Sequence, residues 1–192
     1  MKVLVLCSDR AEGALFTEEE FILRVTGVGK ENALLNTVLA IKECDPDLII
    51  NVGTCGAKKG EASIGDICTV RRVINRDADL TMYRLPKYTT LSADRSTEGP
   101  LDIAEEGFVL ASSDTLAVTA IEEAGLYDME AFGIAKASKA LGKPLVIIKG
   151  VSDIVGEHVA LKDYRKVLKK LASDLHEEAL RLCRERREFG SL

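Results

Sequence analysis

Short apolar runs alternate along the chain with stretches of helical spacing. Residues 3–6, 21–26 and 48–52 are rich in branched apolar side chains, carry few charges and end at glycine or polar residues, which predicts strands. Between the second and third, Ala33, Leu34, Val38 and Ile41 fall on one face of a helix over 30–44, which Pro46 stops. Residues 67–73 and 108–111 read as further strands, 115–124 and 130–141 as helices, and 144–149 as a buried strand. Leu161, Tyr164, Leu168, Leu171, Leu175 and Leu182 mark the apolar face of a C-terminal helix. Residues 85–99, rich in Ser and Thr with Pro86 and Pro100 at either end, read as a mobile loop. Strands alternating with helices point to an α/β fold whose mixed or parallel sheet is covered on both faces. Neither a repeat nor a linker divides the chain, so 1–192 reads as a single domain.

Composition narrows the function classes. The 192 residues are 46% hydrophobic and 30% charged, suited to one compact soluble domain. A net charge of −5 argues against a broad nucleic-acid surface and leaves room for a local small-molecule site. No apolar run approaches the ~18 residues of a membrane span, and the short Val3–Leu6 run breaks off at Ser8-Asp9-Arg10, unlike a secretory leader. Cys7, Cys44, Cys55, Cys68 and Cys183 are scattered, and His158 and His176 give them no zinc spacing. The cysteines therefore read as reduced, in a cytoplasmic protein. Arg181, Arg184, Arg186 and Arg187 are interleaved with Glu185 and Glu188, as on a solvated helix end.

In such sheets ligands bind past the carboxyl ends of strands. The second strand leads into Gly27-Val28-Gly29-Lys30 and then a helix, either a tight turn or an anion site made of helix N-terminal amides. It lacks the full spacing of a dinucleotide fold or a P-loop. The third leads into Gly53-Thr54-Cys55-Gly56, a concave loop offering amides and a hydroxyl, or a bulged crossover. Cys55 has no histidine nearby in sequence to activate it, which favours a buried thiol over a nucleophile. After 144–149 comes Gly150-Val151-Ser152-Asp153, which places a carboxylate beside a hydroxyl: a partly desolvated acid or a capping turn. Asp128-Met129-Glu130 opens a helix rich in small residues, where Glu130 serves a ligand or complements the helix dipole.

Taken in order, GVGKENA, INVGTCG with IGD, NRDADLT, YDMEAFGIA and IIKGVSD resemble the nucleoside phosphorylase family. The likeness is strongest to its hydrolytic branch, the methylthioadenosine/S-adenosylhomocysteine nucleosidases. It covers most of residues 1–155, and the chain is shorter than typical members around residues 80–110. The resemblance implies a three-layer α/β fold, with a mixed central β-sheet flanked by helices, and cleavage of the N-glycosidic bond of a purine-type nucleoside. Asp153 matches the acid that protonates N7 of the leaving base, and Ser152 the residue that orients it. Glu130 matches the clamp on the ribose hydroxyls, Met129 a residue packed on the sugar, and Thr54 with Gly53 the loop beneath it. Counting from Met1 aligns Glu12, with Asp9 as the alternative, to the carboxylate that activates water. Two acids on opposite faces of the sugar would make the inverting-glycosidase arrangement. Lys149 stands where nucleosidases carry an Arg near the water. Residues 108–116, with Ser112-Ser113-Asp114, resemble the base-binding strand and loop; Leu116 replaces the stacking aromatic, which leaves other purine-like bases open beside adenine.

Phosphorylases of the family carry an Arg just before the VGT-like loop, where a guanidinium suits a phosphate dianion. Here the position is Asn51, as in the nucleosidases, which favours hydrolysis. Arg10, Arg24 and Lys149 keep phosphorolysis as the alternative, and a catalytically silent nucleoside-binding protein is a third reading. Family members pair into dimers whose partner lends a wall to the pocket. With 5% aromatic residues this chain is expected to do likewise as a homodimer. The implied partner is a small-molecule nucleoside, with no nucleic acid, membrane, metal or organic cofactor.

Overall fold

The computed structural model describes residues 1–17, 19–157 and 161–189, the side chains of 161–164 excepted. His158 and the side chains of Leu161 and Tyr164 thus lie outside the described residues. In chain order the elements are β1 (Val3–Cys7), β2 (Ile22–Val25), α1 (Lys30–Cys44), β3 (Leu48–Ala57), β4 (Ile67–Asn75), β5 (Thr90–Leu91), β6 (Thr97–Glu98), β7 (Leu101–Asp102), β8 (Phe108–Ser112), β9 (Leu126–Asp128), α2 (Ala131–Ala140), β10 (Leu145–Ile154) and α3 (Leu161–Phe189). No helix among the described residues is long and apolar enough to cross a membrane.

β1 is buried at every position, and its two faces go different ways because successive strand residues point to opposite sides. Val3, Val5 and Cys7 join Leu48, Ile50 and Val52 against Leu175, Ala179 and Leu182 of α3. Leu4, Leu6 and Ile49 pack against Ala33, Ala40 and Ile41 of α1 and Ile134 of α2. This gives three layers, α1 and α2 on one face of the sheet and α3 on the other, as the resemblance implied. The sheet order is β10-β4-β8-β9-β3-β1-β2 with β7 beside β4. It is mixed: β1, β2, β3 and β10 run parallel, whereas β4 pairs antiparallel with β10 and β9 antiparallel with β3. Because β10 also pairs with β3, the strands β10, β4, β8, β9 and β3 close into a ring.

The predicted helix over 30–44 is α1, though its buried face is Ala33, Thr37, Ala40 and Ile41, with Leu34 and Val38 half-buried. Other expectations need correcting. The Gly53–Gly56 segment is not a loop but the second half of β3, and Ser152-Asp153 lies within β10 rather than past it. The two segments pair with each other, Lys149 opposite Gly53 and Asp153 opposite Gly56. Each thus supplies the hydrogen bonds that let the other continue through glycine, a tertiary effect overriding local propensity. Residues 115–124 are irregular instead of helical. Their backbone groups bond to side chains: Ile121 N–H to the Tyr127 hydroxyl, 2.8 Å, and Thr119 C=O from Arg76, 2.8 Å. The expected mobile loop holds the β5–β6 hairpin. The short buried strand β9 escaped the hydrophobic pattern, being three residues long.

Candidate active site

β1 ends at the floor of a cavity of about 320 Å³. Past it, Asp9 Oδ1 accepts the N–H groups of Ala11, 2.7 Å, and Glu12, 3.2 Å, and this turn folds Glu12 back over the strand ends. Glu12 Oε2 accepts from the Ser8 N–H, 3.0 Å, and hydroxyl, 2.6 Å; Oε1 accepts from the Thr54 N–H, 2.8 Å, and hydroxyl, 3.0 Å. Four bonds fix one carboxylate between β1 and β3. Gly53 makes the approach possible, because a Cβ there would sit 3.2 Å from both Glu12 oxygens. Of the two candidates for the water-activating position, Glu12 is therefore held by β1 and β3, whereas Asp9 shapes the turn.

The second acid comes from β10. Its register against β3 slips between Val151 and Asp153, a β-bulge that re-aims the side chains there. Ser152 Oγ lies 2.6 Å from Asp153 Oδ1 and 3.2 Å from the Cys55 carbonyl oxygen. Its single proton suits both charge states of Asp153. It donates to the carboxylate, or it donates to Cys55 C=O and accepts from the carboxylic acid.

The third acid, Glu130, opens α2. It does not cap its own helix; that role falls to Asp128, whose Oδ2 accepts the Ala131 N–H at 2.9 Å. Glu130 Oε1 instead accepts the N–H of Gly29, the residue just before α1, at 3.1 Å. Asp128 Oδ2 also lies 2.9 Å from the Lys149 ammonium, with side chains 1% and 2% exposed, while its Oδ1 accepts from the Ser112 hydroxyl at 2.6 Å. Burial, and then the Asp128 carboxylate, push the Glu130 carboxyl up to about 7, against Lys149 and the Gly29 N–H. Burial alone would discharge Lys149, but the surrounding carboxylates, Asp128 foremost, hold its ammonium charged.

Asp153, Glu12, Glu130, Met129, Ser152, Thr54 and Leu116 all line this cavity. Gly53 and Lys149 do not: Gly53 acts through the room it leaves for Glu12, and Lys149 is sealed beneath the floor by its ion pair. An ammonium inside an apolar strand needs a carboxylate in contact, and Asp128 supplies it. Sequence reasoning assigned no role to Asp128. The signal was present twice, as an Asp three residues before Ala131 in a capping position and as the unpaired charge of Lys149 in an apolar strand. It also missed Ser8, Val28 and the α3 wall of Leu168, Leu171, Ala172 and Leu175.

Five acidic residues line the cavity (Asp9, Glu12, Asp128, Glu130 and Asp153), and among its described lining residues there is no Arg or Lys. Arg10 is absent from it, and Arg24 pairs with Glu43 on the surface at 2.9 Å. Asn51 is buried, donating to the carbonyls of Leu6, 3.1 Å, and Val52, 3.2 Å. Cys55 is buried and its thiol is pushed well above the usual range by desolvation, as befits an inert core residue. No group of three His, Cys, Asp or Glu side chains among the described residues could hold a metal ion.

Residues 10–184 match the phosphorylase superfamily. The chain belongs to that superfamily. Among its relatives, the 5'-methylthioadenosine/S-adenosylhomocysteine nucleosidase of Geobacillus kaustophilus (strain HTA426) is 28% identical over 195 residues, spanning 88% of this chain and 82% of that one. The nucleosidase of the same name from Marinomonas sp. (strain MWYL1) is 25% identical over 191 residues, 86% and 83% of the two chains. Among solved structures, the nucleosidase of Campylobacter jejuni superposes with a TM-score of 0.82 at 19% identity, covering 95% of this chain and 98% of that one. The nucleosidase of Neisseria meningitidis, in complex with methylthio-immucillin-A, gives 0.76 at 21% identity, covering 91% and 94%. These superfamily neighbours share the three-layer fold described above.

Proposed function

We propose that this protein is a hydrolase acting on the N-glycosidic bond of purine-type nucleosides, of the kind its curated relatives are named for, 5'-methylthioadenosine and S-adenosylhomocysteine. The observation that carries the reading is the convergence of Glu12, Glu130 and Asp153, from three separate parts of the chain, on one acidic cavity. A purine anion leaves poorly, and Asp153, oriented by Ser152, donates a proton to N7 so that the base departs neutral. Such a placed acid contributes roughly 10²–10⁴-fold. Glu130 accepts the ribose hydroxyls beside Met129, and its charge favours the positive charge developing on the sugar. Glu12, held by Ser8 and Thr54, takes a proton from the attacking water. Lys149 acts from below, holding Asp128 in place through their ion pair. Leu116 offers an apolar, non-aromatic wall to the base.

The acidic lining supports hydrolysis over phosphorolysis, because a phosphate dianion in this cavity would meet carboxylates with no guanidinium or ammonium among the described lining residues to hold it. Chromatography of a nucleoside panel tests this. Free base and free sugar released equally with and without phosphate are expected. Ribose 1-phosphate formed only with phosphate present would replace hydrolysis with phosphorolysis.

The reading extends to a homodimer in the cytoplasm. Support for the dimer comes from exposed apolar side chains near the cavity mouth and along α1, among them Val28, Leu35, Leu39, Leu116 and Val118. Light scattering at twice the chain mass is expected; a monomer would contradict it. Five free cysteines suit a reducing compartment.

A further inference from the structure

Val28 and Leu116 both line the cavity, yet they come from segments far apart in sequence and stay 55% and 76% exposed. Exposure that high leaves packing little hold on either. The bonds that join their segments are polar. Two residues past Val28, the Lys30 N–H donates to Asp114 Oδ1 at 2.7 Å, and Asp114 stands two residues before Leu116. The Lys30 ammonium, 11% exposed, pairs with Asp77 and lies 2.8 Å from Asn75 Oδ1 and 3.4 Å from Asp114 Oδ2. The Asp114 N–H in turn donates to Asp77 Oδ2 at 2.8 Å. Burial works against the charge on Asp77, but the Lys30 ammonium and the Asp114 N–H outweigh it and hold the carboxyl below the usual range. Gly29 completes the turn with φ +96°, a conformation that favours glycine, and a Cβ there would crowd Asp114 Oδ1 at 3.2 Å. The Gly-Val-Gly-Lys segment is a tight strand-to-helix turn whose amides are taken by the protein's own carboxylates: the N–H of Gly29 donates to Glu130, that of Lys30 to Asp114.

We propose that Lys30 and Asp114, braced by Asp77, form a clasp that sets the gap between Val28 and Leu116 and so selects the heterocycle the cavity accepts. All three are positioning residues that need not touch the substrate. The inference rests on the reading of the cavity as a purine-nucleoside site. Asp114 is 49% exposed, and a pair with one end in water contributes little to global stability, so removing the Asp114 side chain acts on the loop and the base rather than on the fold.

The test compares wild type with Asp114→Ala, Asp114→Asn and Lys30→Met in three readouts: amide hydrogen exchange over residues 113–118, affinity for free adenine by calorimetry, and steady-state kinetics on a nucleoside. In Asp114→Ala, exchange over 113–118 quickens while the β3 and β10 amides keep their protection. Adenine affinity falls about tenfold and KM rises to match, with kcat within about threefold. Asp114→Asn keeps the Oδ1 acceptor and stays near wild type; Lys30→Met falls between. Unchanged exchange in Asp114→Ala, or kcat falling while KM and adenine affinity hold, would overturn the clasp, as would a wild type that does not bind adenine. If the wild type turns over no nucleoside, the functional reading fails by itself, and exchange with adenine affinity still decides the inference.

Discussion

Lys149 and Asp128 form a salt bridge of 2.9 Å with neither side chain more than 2% exposed, close enough to the Glu130 carboxylate for both charges to act on it. Taking two charges out of water is expensive, and the pair is tolerable only because Asp128 is also bonded by Ser112 and the first turn of α2. Removing one partner leaves the other charge buried and alone. Lys149→Met is expected to destabilise the fold by about 3–5 kcal/mol in denaturant unfolding. The double variant Lys149→Met with Asp128→Leu should recover part of that stability but no activity, since Glu130 then loses its support.

Glu130 ties stability to pH with a definite sign. Its folded carboxyl titrates at about 7, against an ordinary value of 4.5. Between those two values the folded protein holds a proton that the unfolded chain has lost, so stability falls as pH rises, by at most about 1.4 kcal/mol per unit, and levels off above the upper value. Thermal unfolding across pH 5–8 should show this decline in wild type relative to Glu130→Gln. Activity runs the other way, because only the ionised carboxylate accepts two ribose hydroxyls: KM falls as pH rises through about 7, a trend absent from Glu130→Gln. A KM independent of pH in wild type would remove Glu130 from the sugar.

Gly53 makes a test of Glu12 that leaves Glu12 untouched. A methyl group at position 53 would stand 3.2 Å from both carboxylate oxygens and push them off Thr54. Gly53→Ala is expected to lower kcat by roughly 10–10²-fold, with a smaller change in KM and a circular dichroism spectrum like that of wild type. An undiminished kcat would show that the placement of Glu12 is immaterial.

How far the chain could be read before folding follows from where each signal lies. α1, α3 and the cores of β1, β3 and β10 are periodic or continuously apolar, and their burial against two helical layers follows from that pattern. Of the acids that line the cavity, Asp153 and Glu130 were singled out through the family-like motifs around them, and Glu12 by counting from Met1 against the same pattern. What escaped depends on partners distant in sequence. Residues 53–56 extend as strand because 149–153 lie alongside, with Tyr127 of β9 opposite Gly56. Residues 115–124 have helical spacing, yet Arg76 and Tyr127 take their backbone groups. Lys149 looked like a ligand for the reaction until Asp128, 21 positions earlier, was seen to occupy it.

The most direct test of the division of labour among the three acids varies the leaving group. Wild type and Asp153→Asn are assayed on a purine nucleoside and on 4-nitrophenyl β-D-ribofuranoside, whose phenolate departs without protonation. The account predicts that Asp153→Asn loses roughly 10²–10⁴-fold on the purine nucleoside and less than about tenfold on the nitrophenyl riboside. Equal losses on both substrates, or full activity on the purine nucleoside, would contradict the assignment of Asp153 as the acid that releases the base.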